Sequence, residues 1–195
     1  MKKKSLIIVL LVFFLNFNHV LSTEPDVFVQ STVNRASTIL GDSISKEKKI
    51  EKLKSIASET VDIKGIGYYT LGSYRKTLND EQKKIYNELF NNYFLISFSS
   101  RLAEYTNPEI DVFDKEILNE NYTIVNSLLK ATNERPEIKI DWRVYTKSPE
   151  NPLIRDLIIE GLSLARTQKE EFSSILSSND GDINALFEVL KDFSN

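Results

Sequence analysis

Two changes of hydrophobic period divide this chain and set the class of fold open to it. As far as Asn107-Pro108 apolar residues recur every three or four positions, then alternate or cluster as β-branched runs, and from Thr167 return to a three-to-four spacing. A period near 3.6 buries one stripe of a helix, and a period of 2 buries one face of a strand. Helices, then strands, then helices is the order of an α+β domain, whereas a parallel sheet would need strands and helices to alternate. No internal repeat interrupts the order, and 195 residues suit one domain able to bury a sizeable core.

The first helical signal is "DVFVQSTVNRASTIL", with Val29, Val33, Ala36, Ile39 and Leu40 on one stripe and Gly41 as its stop. In "SKEKKIEKLKSIASETV", Ile50, Leu53, Ile56 and Ala57 oppose a solvated face of lysines and glutamates. "DIKGIGYYTLGSYRKTL" carries three glycines, but no Gly-Lys-Ser/Thr follows, so the spacing is not that of a phosphate loop. A short helix, closely packed at its glycines and followed by a turn, is the expectation there.

The longest helix is expected in "NDEQKKIYNELFNNYFLISFSSRLAEY", capped by Asn79 or Asp80. Ile85, Leu89, Tyr93, Ile96 and Leu102 mark one side, and Tyr86, Phe90, Phe94, Phe98 and Tyr105 an adjoining one. That is more apolar circumference than a surface helix needs. Two readings stay open: an ordinary core, or an aromatic wall lining a cavity for an apolar ligand.

"YTIVNSLLKA", "EIKIDWRVYTK" and "LIRDLIIEGLSLA" read as three strands of an antiparallel meander, with turns at "ERPE" and "SPENP". In the middle one Ile138, Ile140, Trp142 and Val144 alternate with polar residues. The last is expected to run from Asp156 to Leu164, bending or bulging at Gly161, with a helix from Thr167; its parity puts Ile158, Leu162 and Leu164 on one face. A final helix follows "NDGD" through Ile183, Leu186, Phe187 and Leu190.

Residues 1–22 carry three lysines, an apolar run from Leu6 to Leu15 and a small residue at Ser22, the pattern of a cleavable export signal preceding a mature domain over 23–195. Without Lys2, Lys3 and Lys4 the count is 22 basic against 28 acidic residues, a net of −6. Such a chain lacks the basic footprint that nucleic acid requires. It has no cysteine, and its one histidine, His19, falls inside the signal. Disulfides, thiolate and imidazole catalysis and most zinc chemistry are thereby excluded. Carboxylate-only chemistry survives, with Asp141, Asp156 and Glu160 as its available groups.

Three stretches together resemble the MlaC, or toluene-tolerance, family of periplasmic phospholipid-binding proteins. The first runs from Leu71 and Gly72 through Tyr74, Arg75, Gln82, Tyr86 and Phe90 to Leu102 and Tyr105; the second is the strand with "IDWRVY". The third is "RDLIIEGLSLARTQKEEF", similar to the family's Asp-x-x-x-Glu-Gly-[Val/Leu]-Ser signature through Asp156, Glu160, Gly161, Leu162 and Ser163, followed by Lys169 and Phe172. The chain departs from the pattern at Pro152, where the family usually has tryptophan, at Gln168, where it has an aromatic, and at Phe98, where it has tyrosine.

What the resemblance implies is a curved antiparallel sheet packed against several helices, a cone like that of nuclear transport factor two, with a lipid pocket between sheet and helices. It implies a soluble periplasmic carrier, not an enzyme, shuttling phospholipid between an inner-membrane ABC transporter complex bearing an MCE domain and an outer-membrane lipoprotein–porin complex. The expected cargo is phospholipid, with no cofactor, metal or catalytic residue. The tail-facing candidates are Phe90, Phe94, Phe98, Leu102, Ile140, Trp142, Ile158, Leu162 and Leu164. Arg75, Lys76, Lys83 and Lys84 form a candidate docking patch, with a plain solvated helix end as its alternative. A peptide-binding assembly factor and a carboxylate-dependent enzyme on a similar cone remain the competing readings.

Overall fold

The computed structural model describes residues 23–193; the expected signal segment over 1–22 lies outside the described residues. Four helices come first: α1 (Pro25–Gly41), α2 (Lys46–Thr60), α3 (Ile63–Thr70) and α4 (Asp80–Leu102), with a 3₁₀ turn over Gly72–Lys76 before the last. Local chemistry sets their starts. Pro25 stands in the first turn of α1, Ser45 caps α2, and the Asp62 carboxylate accepts the Gly65 N–H at 2.8 Å to cap α3. Asn79 and Gln82 cap α4 reciprocally, each side chain accepting the other's backbone N–H.

The strands follow as β1 (Ile110–Asn119), β2 (Tyr122–Leu129), β3 (Ile138–Tyr145), β4 (Leu153–Ile159) and β5 (Leu162–Ser163), and the chain ends in α5 (Leu164–Ser177) and α6 (Ile183–Asp192). The sheet is an open antiparallel meander in sequence order. The expected α+β class is therefore what the structure shows, but the expected three strands are five.

Both extra strands have a physical explanation. Register shifts between Val112 and Asp114 and between Ile117 and Asn119 break the alternation of β1, so apolar residues fall side by side in its sequence. The segment expected as one strand from Asp156 to Leu164 is instead a hairpin. Glu160 and Gly161 have φ of +50° and +82°, the left-handed pair that a two-residue turn demands, and the chain doubles back to set Ser163 opposite Ile158 and Leu162 opposite Ile159. Ser163 then caps α5, its Oγ accepting the Arg166 N–H at 3.1 Å, so the helix starts at Leu164 and not at Thr167. The parity that joined Ile158 to Leu162 and Leu164 fails with the reversal.

Val125, Trp142 and Val144 form the buried face of the sheet, against which α1, α3 and α5 pack. The indole N–H of Trp142 donates to Ser127 Oγ at 2.8 Å, and that hydroxyl donates to the Ile140 carbonyl, so the buried polar atoms are satisfied. Helix α4 is held mainly by α2, α3 and α6. A Cβ at Gly67 would stand 2.8 Å from the Phe90 ring, so the glycine is what brings the α3 backbone against α4. The Asp62 N–H donates to the Ile154 carbonyl, and the Arg155 guanidinium joins the Asp62 carboxylate to the Tyr122 hydroxyl, fastening α3 to the sheet.

Candidate functional site

Between α4, the β3–β4 edge and α5 lies a cavity of about 580 Å³, within the range of small-molecule sites. Its long wall is an aromatic ladder on α4. Phe90, Phe94 and Phe98 recur every four residues, which stacks them on one helix face, with ring centroids 6.2 and 5.3 Å apart. Phe90 is buried at the base, edge-on to Phe172 at 6.2 Å, whereas Phe94 and Phe98 keep part of their surface free.

Across from the ladder stand Trp142 from β3, Ile154 and Leu157 from β4, and Leu164 and Ala165 from α5. A bulge in β4 makes part of this wall possible. Arg155 is the extra residue between the Arg143–Asp156 and Val144–Ile154 pairs. The extra residue brings Ile154 and Leu157, three positions apart, onto one face opposite Val144 and Trp142, so both border the cavity.

The polar groups of the lining are Ser97, Ser100 and Arg101 on α4, Asp156 on β4, and Thr167, Gln168 and Glu171 on α5, of which Arg101, Thr167 and Glu171 are exposed. The Tyr93 hydroxyl donates to Gln168 Oε1 at 2.7 Å, and Phe193 stands edge-on to the Tyr93 ring at 5.1 Å. Burial pushes the Tyr93 hydroxyl above the usual phenol range, with Glu171 adding to the effect, so it stays a neutral donor.

None of the three carboxylates considered for catalysis is paired with another. Asp156, buried, accepts the Ser163 hydroxyl at 2.6 Å and the Ala165 N–H at 3.0 Å, with Arg143 at 3.7 Å. It ties the β4–β5 hairpin to the start of α5. Glu160 accepts the Lys139 N–H through its side chain, while its own N–H donates to the Lys139 carbonyl. Asp141 accepts from Asn126 at 2.7 Å and pairs with Lys139 at 3.2 Å. The Asp-x-x-x-Glu-Gly-x-Ser run thus folds as a latched hairpin.

Of the nine tail-facing candidates, Phe90, Phe94, Phe98, Trp142 and Leu164 border the cavity together. The other four do not. Leu102 follows the last cavity residue of α4, and Ile140 is enclosed in the core. Ile158 sits opposite Asp141, on the strand position after Leu157, and Leu162 is 59% exposed beyond the turn. Residues not singled out for the wall include Tyr93, Ile154, Leu157 and Phe193. The aromatic spacing already contained Tyr93, but Leu157 becomes visible only once the bulge is known. In the candidate docking patch Arg75, Lys76 and Lys84 are exposed, and Lys83 pairs with Asp80 at 3.4 Å.

A family model described as MlaC protein matches residues 30–192. Among solved structures the chain is similar to a phospholipid-binding protein from Ralstonia solanacearum, determined in complex with a phospholipid, with a TM-score of 0.74 at 21% identity. The match covers 88% of this chain and 97% of that one, and it shows a shared fold.

Proposed function

This chain belongs to the MlaC family, and from that premise we propose that it binds a phospholipid by its acyl tails and carries it through the aqueous periplasm. The observation that carries the reading is the aromatic-walled cavity of about 580 Å³, whose lining is mainly apolar. Each methylene moved out of water contributes about 0.8 kcal/mol, so one long acyl chain represents roughly 10 kcal/mol that a carrier must match to lift a lipid from a bilayer. A rigid wall of stacked rings on one helix supplies apolar surface at little conformational entropy.

The carrier picks up and delivers at membrane-bound complexes, an MCE-domain ABC transporter at the inner membrane and a lipoprotein–porin complex at the outer one. Arg75, Lys76 and Lys84 offer an exposed cationic surface for such docking. Binding and transport are favoured over catalysis because, of the two carboxylates bordering the cavity, Asp156 is committed to the hairpin and Glu171 is exposed and bonded by Gln168. The phospholipid is cargo, and the site needs no cofactor.

The test is to purify the mature chain without detergent, weigh it by native mass spectrometry and extract its lipid. Near-stoichiometric phospholipid is the expected result. A protein that carries none, that carries peptide in its place, or that shows a turnover abolished by Asp156→Asn or Glu160→Gln, overturns the proposal.

A further inference from the structure

Phospholipid has a charged end as well as tails, and the opening of the cavity bears on which groups meet it. Three charged residues border the cavity: Arg101, Asp156 and Glu171. Asp156 is already bonded to Ser163 and Ala165, and faces Arg143. Glu171 is exposed on α5, takes a hydrogen bond from Gln168 at 2.9 Å and repels an anion. Arg101 is the one cation of the wall, and among the described residues no carboxylate lies within ion-pairing distance of it. An exposed arginine without a carboxylate, at the rim of an otherwise aromatic wall, is a planar donor fork available to a phosphate.

The distance along α4 fits the same assignment. From Phe90, at the closed end, to Arg101 is eleven residues, or about 16 Å at 1.5 Å per residue. A bilayer's hydrocarbon core is about 30 Å thick, so the tails of one leaflet extend roughly 15 Å. A tail laid along the ladder with its end at Phe90 brings the headgroup to the level of Arg101. We propose that Arg101 takes the phosphodiester of the cargo, making the site selective for a phosphate-bearing diacyl lipid over an uncharged one with the same tails. This assignment rests on the phospholipid-carrier reading and deepens it.

The experiment incubates the mature chain with vesicles holding equal amounts of phosphatidylethanolamine and diacylglycerol with identical acyl chains, then measures both in the re-isolated protein. Wild type is expected to be enriched in the phospholipid over the Arg101→Gln variant by about tenfold, the scale of a charge-assisted hydrogen bond. Arg101→Lys should recover part of that enrichment, and the thermal midpoints of the three proteins should agree. An enrichment unchanged in Arg101→Gln overturns the assignment while leaving the carrier reading intact, and a wild type that takes up neither lipid overturns both. Excess inorganic phosphate should leave the enrichment unchanged; if it lowers the wild type to the level of the variant, Arg101 is a free-anion site and the assignment falls.

Discussion

Tyr86 and Phe90 belong to the same aromatic series on α4 as Phe94 and Phe98, yet the two pairs meet different surroundings. Tyr86 and Phe90 are 0% and 2% exposed, with α3 drawn in at Gly67 and Phe172 filling the far side. Their continuation, Phe94 and Phe98, stacks just as closely but faces open space instead of a filling layer. One half of the helix is core and the other is wall, and Phe90 stands at the boundary, buried but bordering the base of the cavity. The difference teaches that an aromatic period shows which face of a helix is apolar, while the opposing element decides whether that face is filled.

The sharpest way to break the comparison is truncation in each half. Phe90→Ala should destabilise the protein by about 3–5 kcal/mol, since its neighbours leave a cavity that cannot close. That loss lowers the thermal midpoint by roughly 10 °C in a chain of this size. Phe98→Glu should reverse the pattern: its stability should change by less than about 1 kcal/mol, because the side chain reaches a wet opening, while phospholipid recovered per protein should fall several-fold. Equal losses of stability in the two variants would erase the distinction between core and wall.

The next effect concerns the hairpin that supplies the far side. Asp156→Ala removes the acceptor of the Ser163 hydroxyl and the Ala165 N–H and leaves Arg143 without its nearest carboxylate. A loss of about 2–3 kcal/mol in a denaturant melt is expected. Asp156→Asn, which keeps an acceptor oxygen, should lose less.

The smallest effect sits in the filled half. The Tyr86 hydroxyl bonds Thr70 at 2.9 Å and the Gly67 carbonyl at 3.2 Å, and burial raises its pKa far above the usual phenol range. A raised folded-state pKa leaves the associated stability intact below the unfolded value, about 10, and removes it as the pH climbs beyond that point. Tyr86→Phe should cost about 1 kcal/mol at neutral pH and show a shallower loss of stability above pH ~10 than wild type. Parallel alkaline slopes in the two proteins would contradict the burial of that hydroxyl.

How much of this was legible in the sequence depends on which signals are local. The N-cap of α4 at Asn79, the stop at Gly41 and the alternation through Ile138, Ile140, Trp142 and Val144 are short-range patterns, and each appears where its residues put it. The class of fold followed from their order. Strand β1 was hidden because its two irregularities set Val112 beside Phe113 and Ile117 beside Leu118, spoiling the period of 2. The reversal at Glu160-Gly161 was hidden for another reason. A tight two-residue turn favours asparagine, aspartate or glycine at its first position, and Glu160 is held there by a tertiary bond to Lys139 that no local pattern announces.

For the candidate site, helix spacing placed Phe90, Phe94 and Phe98 on one wall. The opposite wall depended on the Arg155 bulge and the hairpin, so Ile158 and Leu162 were expected there and Leu157 was not. Whether the face enclosed a cavity was a property of two elements at once, and no single segment of sequence carries it.

The central claim, that the open half of the α4 ladder holds acyl tails, is most directly tested with a phospholipid carrying a photoreactive group near the end of one chain. After uptake by the mature protein and irradiation, peptide mapping should find the label on Phe90, Phe94, Phe98 or Leu157. Label confined to Leu162, Phe113 or other exposed apolar positions, with the ladder unmarked, would contradict the account.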